Sequence, residues 1–224
     1  MMNRFKQRAR WGFTLIELLI VICIIGILMS IVGTAGFALL TDAETEKTRT
    51  VFRAWVTQLH QYRETYKHFP PVLLQHEEGK AVEIGEDYED NHDKFIAALK
   101  GRKWDRDNRS WLPLDDLRDQ NKRSREFHSF GEDEFGENSF LADAWGNTKI
   151  YIVVDRDGDG LIKLQADTFA KIADALKREY DSDIVEEAAD KIEVIHEKIG
   201  IYVLNDGGDA QNVFSWNLEK YLEE

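Results

Sequence analysis

Cysteine is almost missing: Cys23 is the single one among 224 residues, so no intrachain disulfide can form and no cysteine-based zinc or redox site is available. Inside an apolar run, Cys23 reads as a small hydrophobe. If the bulk of the chain lies outside the cytoplasm, packing or a metal must hold it together. Positive charge is also short, with 29 Lys+Arg against 42 Asp+Glu and a net charge of -13. Such a chain repels a polyanion, and no nucleic-acid partner is expected. Only one long apolar run occurs, which excludes a multi-span membrane protein. Catalytic patterns are missing too: there is no Ser-His-Asp set, no His-Glu-x-x-His and no phosphate loop. The six histidines are scattered without zinc spacing. The expectation is a chain that is not an enzyme.

What is present is unevenly placed. Hydrophobic residues make up 43% of the chain, enough for one domain with its own core and a segment outside it. Arg4, Lys6, Arg8 and Arg10 open the chain with no acid among them, and removing their +4 from the total of -13 leaves -17 for everything after. Leu18 to Thr41 then carry no charged side chain. As a helix these residues span about 36 Å, enough to cross a hydrocarbon core of ~30 Å. The basic cluster keeps the amino terminus cytoplasmic and sends the bulk across the membrane. The run is too long for a cleaved secretory signal, and its small residues Gly33, Thr34, Ala35 and Gly36 sit inside it rather than after it. Glu17 stands at its edge, where a carboxylate is costly unless a cation accompanies it.

The stretch Gly12-Phe13-Thr14-Leu15-Ile16-Glu17, after the basic cluster and before Leu18-Leu19-Ile20-Val21, closely resembles the processing site of type IV prepilins and type II secretion pseudopilins. The resemblance implies cleavage between Gly12 and Phe13 by a prepilin peptidase, N-methylation of Phe13, and assembly of subunits through their helices. Glu17 of one subunit would then pair with the new ammonium at Phe13 of a neighbour. In place of the mid-helix proline of many pilins, this chain has Gly33 and Gly36, each weakening helix by roughly 1 kcal/mol. Small residues also let membrane helices pack closely.

After Asp42 the pattern turns amphipathic. Val51, Phe52, Trp55, Val56, Leu59, Tyr62 and Tyr66 recur at three- and four-residue steps, predicting one apolar helical face. From Phe13 to Tyr66 the helix would run about 80 Å, ending before Pro70 and Pro71. Residues 72–136 are the least legible. Their acidic runs Glu86 to Asp90 and Glu132 to Glu134 read as solvated loops, Asp93 to Leu99 as a short helix, and Trp104, Trp111, Leu112 and Leu114 as anchors. Asp143-Ala144-Trp145-Gly146-Asn147 reads as a turn into a strand over Lys149 to Val154, and a final strand is expected over 199–204. Thr168 to Lys198 is helical in composition, an insertion between strands. The turn, the final strand and Asn205 to Trp216 again resemble the major-pseudopilin-like group.

The expected fold is therefore α+β and pilin-like, one long helix packed on a small antiparallel sheet. The divisions are a cleaved cytoplasmic leader (1–12), a transmembrane and filament-core helix (13–41), an amphipathic helix (42–70) and a periplasmic head (71–224) with insertions near 72–136 and 168–198. Two loops are candidate calcium sites. Asp155, Asp157 and Asp159 alternate in Asp-x-Asp-Gly-Asp-Gly, like the start of an EF-hand, although Ala166 stands where its bidentate Glu belongs. The family resemblance suggests a second option, the later loop with Asp206 and Asp209, and both loops could bind. Each loop follows a strand, so the two could be neighbours, and both also suit plain solvated turns. The resemblance implies a single-pass inner-membrane protein with a periplasmic head. It would serve a type II secretion pseudopilus with other pseudopilins and an inner-membrane assembly platform. A type IV pilus pilin for adhesion, motility or DNA uptake, or a membrane-anchored calcium-binding domain, are the alternatives.

Overall fold

Four apolar side chains at steps of three and four decide where the first helix docks. In the computed structural model, which describes residues 15–207 and 210–222 without the side chains of 28, 30–39 and 219, helix α1 runs Leu15–Tyr66. Phe52, Trp55, Leu59 and Tyr62 on it are all buried. The helix stops where Lys67 takes a left-handed φ of 66°, and Pro70 and Pro71 follow, lacking the N–H groups that a further turn would need. The leader and Phe13 lie outside the described residues.

The chain divides into two compact units, residues 1–42 and Ala43–Glu224. The first contributes the start of α1. There Leu15, Ile16, Leu18 and Leu19 expose between 57% and 89% of their surface, and Gly33 to Gly36 are helical. Among the described residues no helix is long and apolar enough to cross a membrane, and the span expected over 13–41 falls partly outside them.

In the second unit the elements after α1 are β1 (Val82–Glu83), α2 (Glu89–Lys100), β2 (Lys103–Asp105), β3 (Ser110–Leu112), β4 (Ile150–Val154), β5 (Ile162–Lys163), α3 (Ala166–Glu179), α4 (Ser182–Glu187), α5 (Ala189–Glu193), β6 (Val194–Ile195), β7 (Ile199–Val203), β8 (Val213–Phe214) and α6 (Glu219–Leu222). The main sheet is antiparallel in the order β1-β4-β7-β8, with Ile152 opposite Ile201 at its centre. This is the α+β, pilin-like arrangement expected from the sequence.

Strand alternation gives the sheet two buried faces. Ile150, Ile152 and Val154 of β4, with Ile199, Ile201 and Val203 of β7, pack with Phe52, Trp55 and Phe95 of α1 and α2. The opposite face, with Val153 and Tyr202, packs with Ile172, Leu176, Val185 and Ile192 of α3, α4 and α5. The 168–198 insertion is thus a cover for the second face, and its last residues form β6 rather than helix, pairing with β5. Gly200 is required there. A Cβ at this position would come within 2.9 Å of both Trp216 and Val153, so only glycine lets that indole lie across β7.

Several expectations over 72–136 are corrected. Helix α2 starts at Glu89, so part of the first acidic run opens a helix, where carboxylates suit the positive end of the dipole. The second run is a short 3-10 turn whose Glu134 is buried. It accepts from Trp55 Nε1 at 2.6 Å, Gly131 N at 2.8 Å and His128 Nε2 at 2.9 Å, the donors that make a buried carboxylate tolerable. Leu112 is not an anchor but 41% exposed. His92 is fully buried; its Nε2 accepts from Leu141 N at 3.1 Å. Burial pushes its pKa down, which favours the neutral imidazole that this bond requires.

Candidate functional site

Glu17 lies in the first turn of α1, the end at which a carboxylate is favoured by the helix dipole. Around it, Leu15, Ile16, Leu18, Leu19, Ile20, Val21 and Ile22 are all exposed. A helix apolar on every side is built to be surrounded, by lipid or by other helices. Gly12 and Phe13, the residues of the expected cleavage, lie outside the described residues.

In the head, the Asp-rich turn after β4 gathers one of the expected sets only in part. Asp155 is fully buried, and its carboxylate oxygens accept from Gly158 N at 2.6 Å and Gly160 N at 3.1 Å. Asp157 accepts from Asp159 N at 3.0 Å, and that bond holds its carboxyl below the usual range. Glu78 completes a group in which ligand oxygens of Glu78, Asp155 and Asp157 all lie within 4.8 Å of one another. Asp159 is not in this group; it accepts from Leu161 N at 2.8 Å and lies 3.7 Å from Lys163 Nζ. Glu78, 77 positions upstream of Asp155, carried no sequence signal. Only the pairing of distant segments brings it here. Three carboxylates at this spacing fit a hard divalent cation, which takes several oxygens at flexible distances.

The later loop is engaged differently. Asp206 takes the Arg178 guanidinium at 3.1 Å, and Asp209 lies outside the described residues. Around Asp206, Asn205 donates through its amide to Gln211 O at 2.7 Å and Asp143 Oδ2 at 3.3 Å. Asn212 Oδ1 accepts from Asn205 N at 2.8 Å. Asp143 also accepts from Trp145 N and Asn147 N, so the Asp-Ala-Trp-Gly-Asn turn is tied to the end of β7. Burial raises the Asp143 pKa, against the pull of these donors.

The two Asp-rich loops are not neighbours. Because β4 and β7 are antiparallel, with Val154 opposite Ile199 and Ile150 opposite Val203, the loops that follow the two strands lie at opposite ends of the strand pair. A five-residue strand, about 17 Å, separates them.

A family model, the prokaryotic N-terminal methylation motif, matches residues 11–33, about a tenth of the chain. No curated protein and no solved structure matches the chain. The match contains Gly12, Phe13 and Glu17 and supports the type IV pilin and pseudopilin class. It implies processing by a prepilin peptidase, assembly with other pilin subunits, and inner-membrane anchoring by the N-terminal segment.

Proposed function

We propose that the chain is a non-enzymatic subunit of a type II secretion pseudopilus. It is inserted in the inner membrane with its head in the periplasm, cut between Gly12 and Phe13 and methylated on Phe13. It then polymerises through α1, with other pseudopilins and an inner-membrane assembly platform, into a fibre that drives protein export. The observation that carries this reading is the methylation motif followed by a helix that exposes apolar side chains on every side. The turn and strand endings that resemble major pseudopilins favour this apparatus over a type IV pilus. Intact mass of the membrane-extracted protein tests it. Cells with the prepilin peptidase should yield a chain lacking residues 1–12 and carrying one added methyl, and cells without the peptidase should yield the full chain. A full-length, unmethylated chain from both would make the protein an ordinary anchored domain.

Calcium belongs to the same reading. The candidate ligands supported by geometry are Glu78, Asp155 and Asp157, and a bound cation would fasten the segment before β1 to the turn after β4, supplying a cross-link in a disulfide-free head. At a hundredfold excess over Kd a ligand of the folded state adds about 2.7 kcal/mol. That corresponds to roughly 5–10 °C in Tm for a domain of this size. Calcium should therefore raise the Tm of the chelator-treated protein by that amount, and Glu78→Gln should remove the shift. An equal Tm with and without calcium would strike the cation from the reading.

A further inference from the structure

In the head, the large apolar side chains exposed among the described residues are Tyr88, Leu112 and Ile184. Leu112 belongs to β3, beside an open hollow of about 400 Å³ at the C-terminal end of α2. Trp111, Pro113 and Leu114 give this hollow apolar walls, and Arg102 and Arg118 stand among its lining residues. No carboxylate lines it. Neither arginine has an acid within ion-pair distance among the described residues, whereas nearby Lys100 and Lys103 are paired with Glu126 and Asp116. In a chain of net charge -13, residues 100–125 carry nine Lys and Arg against five Asp.

Ile184 has the opposite surroundings. On α4 it stands beside Asp183 and one turn from Glu187, all exposed, while Val185 and Ala188 are buried. Neither Asp183 nor Glu187 forms an ion pair among the described residues. Tyr88 also sits among acids, but those are engaged within the head: Asp87 with Lys149, Glu89 with Arg106, Asp90 with Lys94. An apolar side chain flanked by two carboxylates without ion pairs, Asp183 and Glu187, thus exists on the same molecule as an apolar hollow flanked by two arginines without ion pairs, among the described residues. The α2 side packs on one face of the main sheet and α4 on the other, so one copy cannot close this contact on itself.

We propose that the hollow flanked by Arg102 and Arg118 receives the Ile184 knob of a second copy of this chain, a lateral head-to-head contact between subunits. The two patches differ, so the contact is heterologous and passes from copy to copy rather than closing an isologous dimer. The contact is small and salt-sensitive. It forms because helix assembly holds the heads at high local concentration, and in that respect it rests on the proposed filament.

The test uses the full chain in membranes, with Cys23→Ser and the pair Leu112→Cys and Ile184→Cys, treated with a short bismaleimide. A ladder of cross-linked copies is expected, at least fivefold stronger than with Tyr88→Cys and Ile184→Cys. Arg118→Glu should remove the ladder, and adding Asp183→Arg should restore it. Equal yield with the Tyr88 pair, indifference to the charge reversals, or an Arg118-dependent product with a different protein would each overturn the inference. Multimers that depend on Glu17 but lack the 112–184 product would sink this contact and leave the filament standing. Absence of any Glu17-dependent multimer would instead remove the filament reading.

Discussion

Trp55→Ala is expected to lower the stability of the head by about 4 kcal/mol or more. Trp55 is completely buried, with ring contacts to Phe52, Phe95 and Phe130 at centroid distances of 5.6, 5.5 and 6.1 Å. Truncating such a side chain costs about 3–5 kcal/mol through lost transfer energy and the cavity left behind. The indole N–H is also one of the donors to the buried Glu134 carboxylate. Its loss adds about 1–3 kcal/mol of incompletely compensated burial. Against a total of about 5–15 kcal/mol for a domain this is a large fraction, and Tm should fall by roughly 10 °C or more. Trp55→Phe keeps one aromatic ring in the cluster while removing the donor and the rest of the indole, so it should cost less than Trp55→Ala. Thermal melts of the detergent-solubilised full chain, with exposed Thr57→Ala as the control, would measure this. A Trp55→Ala melt within 2–3 °C of the parent would show that the cluster is not the anchor of α1.

Glu17→Val should have its effect elsewhere, abolishing assembly while leaving the head's melting temperature unchanged. On the proposed reading, Glu17 of one subunit meets the Phe13 ammonium of its neighbour where little water can screen them. Removing one partner of a buried ion pair costs about 3–5 kcal/mol, because the remaining charge is left uncompensated. At 1.4 kcal/mol per decade, the multimer population should drop roughly a hundredfold or more. On the same reading, cleavage at Gly12 precedes assembly and lies outside the substituted residue, so the mature mass should differ only by the substitution. Cross-linking of membrane-extracted protein provides the readout. Parental levels of multimer in Glu17→Val would remove Glu17 from assembly, and an unprocessed variant would place its role at the peptidase instead.

Local patterns carried much of this molecule. The apolar face of α1 follows from the spacing of Phe52, Trp55, Leu59 and Tyr62, and its end from the two prolines, because helical periodicity and missing backbone N–H groups act within a few residues. Strands β4 and β7 were legible as β-branched runs. The Asp-rich turn after β4 was visible as a candidate, but its third partner was not. Asp159 lies outside the oxygen group and faces Lys163, while Glu78 arrives from a segment whose place depends on β1 pairing with β4. Glu134 was misread for a related reason. A run of three acids reads as solvent-facing, and only the donors from Trp55, Gly131 and His128 reveal that one of them is buried.

From the sequence alone come the processing motif, the apolar N-terminal run, the amphipathic second half of α1 and the α+β class, because each is encoded by residues close together along the chain. The tertiary structure decided at which end of the paired strands each Asp-rich loop lies, that the 168–198 insertion buries the second face of the sheet, and that an arginine-flanked hollow and an acidic knob lie on opposite sides of one head. These depend on antiparallel pairing between segments dozens of residues apart, and pairing of that range is selected by the packing of the whole core rather than by any local pattern.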